Sequence, residues 1–200
     1  MDVKLFNKWD CASVIIKDVG LRSYINLPNK ALPYSFGLGA TRKFGKSKIH
    51  LVERLVNNLM VTGHIKDTRV HKRISGRDSG KKQRTYKSIE SAFDLIEKRT
   101  KQNPVQVLVQ AIENAAPREE TTRIRQGGII VHKAVDVAPA RRLDIALKFV
   151  THGAAQRSFS KKATLESALA EEIIAASNYD NKCYSIGKRD ELERVAQSAR

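Results

Sequence analysis

The sequence predicts a mainly α fold: about six helices in one domain, a protruding β-hairpin arm and an irregular N-terminal extension. Three observations carry this expectation. Apolar residues recur at helical spacing in six separate stretches of the 200 residues. One run of β-branched residues turns about Gly127-Gly128, a hairpin signal. Ahead of these, Pro28, Pro33, Gly37 and Gly39 forbid any long element, leaving at most a short strand at Val14-Ile15-Ile16. Residues 1–46 are therefore expected as the extension and 47–200 as the helical domain, with the arm at 119–137.

From Ser47, which is placed to cap the first turn, Ile49, Val52, Val56, Leu59 and Met60 share a helical face, flanked by Leu51 and Leu55, until Gly63. Residues 64–84 show no periodicity and carry eight Lys/Arg against two Asp, which predicts a mobile basic loop. Helix returns over 85–101 with Ile89, Phe93 and Ile96 on one face. Asn103-Pro104 then starts a helix, because Asn accepts from free amides and proline tolerates the first helical position. That helix, VQVLVQAIENAA, is apolar nearly all round and so belongs at the buried centre, with Pro117 as its stop.

Through TTRIRQGGIIVHKAVDV a two-residue turn pairs Gln126 with Ile129, Arg125 with Ile130 and Arg123 with His132. Side chains alternate, so Arg123, Arg125 and His132 share one face and Ile124, Ile129 and Val131 the other. Pro139 opens a helix that Gly153 is expected to close, Thr164 caps another, and KRDELERVAQSAR forms the last.

The charge points to a polyanionic partner: net +16, with a pI near 10.0. It is also clustered. Residues 40–87 hold 14 Lys/Arg against 3 acidic residues and 119–162 hold 9 against 4, while 163–200 hold 5 against 7. Such separation marks a binding face. Cys11 and Cys183 are far apart and match no metal or disulfide motif, so free thiols in a reducing compartment are expected. No apolar run approaches the roughly 18 residues of a membrane span, and MDVKLFNKWD has no secretory character, so a soluble intracellular protein with no membrane partner is expected.

One motif suggests otherwise. ATRKFGKS at 40–47 satisfies the permissive form of the phosphate-binding loop. That device needs a buried strand before it and glycines that let amides curl round phosphates. LPNKALPYSFGLG is no strand, and Thr41-Arg42-Lys43-Phe44 is bulky. The five histidines lack metal-ligand spacing, and Glu119-Glu120 and Glu171-Glu172 are adjacent pairs that point apart. No enzyme activity, cofactor or metal is expected. Phosphate neutralisation over a rigid helical body, aided by a slender arm, suits folded RNA. At 6% aromatics, base stacking is not the main mode. A basic helical DNA-binding or chromatin protein is the alternative.

The run NPVQVLVQAIENAAPREETTRIRQGGIIVHKAVDVAPARRLDIALKFV resembles the core of the universal small-subunit ribosomal protein seven family, called five in eukaryotic naming. VERL at 52–55, TLESALAEEIIAAS, the KRDELERVAQSAR ending and the KLFNKW opening are similar to its eukaryotic and archaeal branch. The loop 64–84 is longer than in most relatives, and Phe149 stands where tryptophan is frequent.

The resemblance implies a structural constituent of the small ribosomal subunit, non-enzymatic, that binds the 3′ major domain of small-subunit rRNA and organises assembly of the head. It implies that Arg42, Lys43, Lys46, Lys48, Lys72, Arg73, Arg118, Arg141 and Arg142 face rRNA. It implies that Arg123, Arg125, Gln126, Gly127, Gly128, His132 and Lys133 form an arm along the exit-site tRNA and mRNA path, with the last helices near neighbouring head and platform ribosomal proteins. The expected location is the cytoplasmic ribosome, with assembly beginning in the nucleolus if the source is a typical eukaryote.

Overall fold

The computed structural model describes residues 3–39, 41–62, 64–65, 72–73, 79–159 and 161–200, with the backbone alone at 64, 65, 72, 73 and 126. Among them are seven α-helices: α1 (Val19–Arg22), α2 (Leu51–Leu59), α3 (Lys82–Thr100), α4 (Pro104–Ala115), α5 (Pro139–Ser158), α6 (Leu165–Ser177) and α7 (Tyr184–Ser198). Two antiparallel ladders accompany them, the short β1 (His64–Ile65) with β2 (Lys72–Arg73) and the long hairpin β3 (Glu119–Gln126) with β4 (Ile129–Asp136). The fold is mainly helical with one arm, as the periodicities require.

α4 is the central helix. Val105, Val107, Leu108, Val109, Ala111, Ile112 and Ala115 are all buried, and α3, α5, α6 and α7 pack around it. Asn103 caps it by accepting from the Val105 amide at 3.0 Å, with Pro104 in the first turn. Thr164 likewise caps α6 through the Ser167 amide. These local signals act as the sequence indicates.

Four boundaries differ from expectation, each for a local reason. Ser47 caps nothing. Its hydroxyl donates to the Phe44 carbonyl at 2.7 Å inside a 3-10 turn, Gly45–Lys48, and the cap of α2 is His50, whose Nδ1 accepts from the Val52 amide at 3.1 Å. α3 begins at Lys82, before the expected 85, and most of the loop expected over 64–84 lies outside the described residues. α5 runs through Gly153 to Ser158. This glycine is a contact point: a Cβ there would lie 2.5 Å from Oε1 of the fully buried Glu172. α7 starts at Tyr184, ahead of the charged run that begins at Lys188.

The described residues before Ser47 are largely irregular but packed. Leu5, Trp9, Cys11, Leu21 and Ile25 join the core. Trp9 sits edge-on to Phe93 at 5.6 Å and donates its indole N–H to Glu97 at 3.0 Å, fastening the segment to α3. Among the described residues Val14-Ile15-Ile16 pairs with no strand. The Gln106 side chain receives the Ile15 amide at 2.8 Å and donates to its carbonyl at 3.0 Å, while Glu113 accepts from the amides of Lys17 and Asp18. Side chains of α4 thus replace a ladder partner, which hydropathy alone does not reveal. The single turn α1 follows, capped by Asp18 through the Gly20 amide.

Candidate nucleic-acid interface

The hairpin register is the one the Gly-Gly turn dictates: Gln126 opposite Ile129, Arg125 opposite Ile130, Arg123 opposite His132. Gly127 and Gly128 both take positive φ, 55° and 86°, the backbone that a two-residue turn needs and that glycine adopts without strain. Along the arm Arg123, Arg125, His132 and Lys133 are exposed, and so are Ile124, Ile129, Ile130 and Val131. Among the described residues, the arm's tip is exposed on both faces. The side chain of Gln126 lies outside the described residues.

The arm is held at its root. Glu119 pairs with Arg200 at the chain's C-terminus, and Glu120 receives two bonds from Arg141, 2.7 Å from Nε and 2.9 Å from Nη2. The Arg118 amide donates to Glu193 of α7 at 2.9 Å, and the Ala134 amide to the Ala199 carbonyl at 3.3 Å. The adjacent glutamates point apart, each to its own arginine. Arg141 keeps much of its surface in solvent and Arg118 is exposed, so both present charge where the arm leaves the body.

The second basic cluster is the turn at 41–48. Arg42, Lys43, Lys46 and Lys48 are exposed there. The strand that a nucleotide-binding loop requires is not in front of it: residues 36–39 form a turn, and both described ladders are antiparallel. Lys46 points at Asp144 of α5, with 3.3 Å between Nζ and Oδ2.

VERL at 52–55 is buried throughout. Arg54, only 6% exposed, donates to Asp144 at 2.8 Å and to the Tyr24 carbonyl. Glu53 accepts from Lys82 at 2.7 Å and from the amide and hydroxyl of Ser35. Buried charges need such partners, and these link the first segment, α2, α3 and α5.

Of the residues expected at RNA, Arg142 is withdrawn from solvent. Its side chain is 11% exposed, and its guanidinium is engaged by Asp18 at 2.8 Å and the Pro117 carbonyl at 3.2 Å. Its charge is matched within the fold. The backbones of Lys72 and Arg73 form β2, and their side chains lie outside the described residues.

The model of the family described as ribosomal protein S7p/S5e matches residues 22–200. The chain belongs to that family. It is 50% identical over 200 residues to the small ribosomal subunit protein uS7 of Nanoarchaeum equitans, and 46% over 199 residues to that of Methanosphaera stadtmanae, each alignment spanning all of both chains. It is similar at 45% to the uS7 of Methanothermobacter thermautotrophicus, over 98% of each.

Within this S7p/S5e frame, three residues emerge that charge and periodicity did not single out. Arg54, Asp144 and Phe44 line a cavity with Arg42 and Lys46. An arginine set among the apolar residues of LVERLV was the available signal for the first. The other two have no signature of their own, since Asp144 reads as a solvated helix position and Phe44 as a stray aromatic.

Proposed function

We propose that this chain is a non-enzymatic structural constituent of the small ribosomal subunit, that it binds the 3′ major domain of small-subunit rRNA, and that it organises assembly of the head. The observation that carries the reading is the pair of exposed basic clusters on a packed helical body, at 42–48 and on the arm with its root, in a chain related end to end to archaeal uS7 proteins. Arg42, Lys43, Lys46, Lys48, Arg118 and Arg141 supply cations to rRNA phosphates, and Lys72 and Arg73 extend the set. Arg142 fixes the frame under them.

The exposed arm, with Arg123, Arg125, Gln126, Gly127, Gly128, His132 and Lys133, reaches the exit-site tRNA and mRNA path, and the last helices meet neighbouring head and platform proteins. The protein acts in the ribosome. Because the three relatives named above are archaeal, a nucleolar step forms no part of the reading. The test is crosslinking of the protein in sedimented small subunits, followed by sequencing of the attached RNA. Crosslinks from 42–48 and 118–141 within the 3′ major domain support the proposal, and crosslinks elsewhere in the rRNA, or recovery with DNA, overturn it.

A further inference from the structure

A cavity of about 410 Å³ opens between the 41–48 turn, α2 and α5, lined by Tyr24, Gly39, Phe44, Gly45, Ser47 and Ala140 together with four charged side chains. Its size exceeds the roughly 300 Å³ at which small-ligand pockets begin. The charged four are Arg42, Lys46, Arg54 and Asp144, three cations about one carboxylate. Asp144 is already shared by Arg54 at 2.8 Å and Lys46 at 3.3 Å, so the wall keeps an uncompensated positive charge. Arg54 is almost wholly buried and therefore fixed, and a fixed guanidinium edge favours an anion or an acceptor edge.

Phe44 is the second observation. The residue is 71% exposed, which burial of apolar surface does not explain. Its backbone is left-handed, φ 58°, a conformation that costs a non-glycine residue of this size. The turn enforces it. Gly45 donates to the Arg42 carbonyl at 2.9 Å, and the Ser47 hydroxyl and amide both bond the Phe44 carbonyl. Gly39 and Gly45 approach so closely that a Cβ on Gly45 would lie 2.2 Å from the Gly39 carbonyl oxygen. The loop is thus drawn shut, with an aromatic ring held in water at its apex and Lys43 Nζ 5.5 Å from the ring centroid.

A flat apolar face beside cations, above a cationic cavity, is complementary to a nucleotide whose base is free to stack. We propose that this cavity takes one unpaired nucleotide of RNA, its base against the Phe44 ring and its phosphate between Arg42 and Lys46. The inference rests on the reading of the chain as an RNA-binding protein and adds a site for a single extruded base to it.

The test uses the full chain, a short oligoadenylate and a blunt RNA duplex of equal length. Phe44→Ala weakens oligoadenylate binding roughly 5- to 100-fold, the worth of one base–aromatic stack, and leaves duplex binding within about twofold. Phe36→Ala, another exposed aromatic on left-handed backbone but outside the cavity, changes neither. In Phe44→Trp, oligoadenylate quenches the new indole, a signal distinct from Trp9, which is buried. Equal oligoadenylate affinity in wild type and Phe44→Ala, or an unquenched Phe44→Trp, overturns the nucleotide site while the RNA reading stands. Wild type that binds neither probe overturns the RNA reading itself.

Discussion

Arg142 in α5 and Asp18 at the N-cap of α1 form an ion pair at 2.8 Å across 124 positions of sequence. The same guanidinium bonds the Pro117 carbonyl, so one side chain joins the N-terminal segment, the end of α4 and the entry to the arm. Removing it strands a partly buried carboxylate and a carbonyl. Arg142→Ala is expected to cost about 2 kcal/mol in urea unfolding, below the range for fully buried pairs because Asp18 stays partly solvated. Burial pushes the Asp18 carboxyl up, but Arg142 and the Gly20 amide outweigh it and hold it below the ordinary 3.8. Its contribution is therefore complete above that value and is lost as pH falls through the lower folded one. Arg142→Ala should weaken this acid sensitivity, because the Gly20 amide is then left to hold the carboxylate without the guanidinium.

His50 gives a second acid-labile element. It is buried, its Nδ1 must be unprotonated to accept from the Val52 amide, and its Nε2 makes no well-formed hydrogen bond. Burial above all, with Lys30 adding to it, lowers its pKa to about 4, and the Pro28 carbonyl pulls the other way more weakly. The unfolded chain takes up this proton near 6.5, so stability is full above that pH and declines as pH falls towards 4. The whole interval is worth about 3 kcal/mol. His50→Asn keeps a capping side chain without titrating. Between neutral pH and pH 4 the urea midpoint should fall less in the variant than in the wild type. Parallel slopes would mean that the imidazole carries none of the effect.

Gly153→Ala separates helix propensity from packing. In a free helix the change would stabilise by up to about 1 kcal/mol. Here the new methyl meets Glu172, which Arg157, Ser185 and Cys183 already hold at 3.0, 2.7 and 2.9 Å. A pinned neighbour cannot yield, so a net loss of about 1–3 kcal/mol is expected in thermal or chemical unfolding. Cys183 shares this enclosure. Burial and the Glu172 carboxylate push its thiol up to about 11, so it should resist alkylation until the chain unfolds.

The contrast between Gly153 and Asn103 shows what was legible in the sequence. Asn103-Pro104, Thr164 and Gly127-Gly128 act on amides and φ angles within a few residues, so α4, α6 and the arm's register follow from local chemistry. Gly153 reads as a stop by the same logic, yet its reason lies on α6. Arg142 reads as an exposed cation because its carboxylate is 124 residues away. The exposed cations of the candidate face were visible as a charge excess. The cavity was not, because Arg54, Phe44 and Asp144 come from three segments that only the tertiary fold brings together.

Phosphate contacts release condensed counterions, so affinity for RNA should fall steeply with salt. Six contacts, the number of exposed cations assigned to rRNA at 42–48, Arg118 and Arg141, imply a loss of roughly a thousandfold between 50 and 200 mM. Charge reversal at Arg42 and Lys43 should lower both affinity and the salt slope. A flat salt response would remove the electrostatic basis of the interface.

The arm should be dispensable for folding. Its described side chains at 123–125 and 127–133 are exposed, whereas the bonds that hold it are at 118–120, 134 and 141. Replacing 123–132 by a tight turn deletes little buried apolar surface and keeps the root. The melting temperature should stay within a few degrees, and the variant should still enter small subunits. Its deficit should lie in retention of exit-site tRNA, measured by filter binding of deacylated tRNA to purified ribosomes. Unfolding of the shortened protein would show the tip to be part of the core, and unchanged tRNA retention would remove the arm from the exit path.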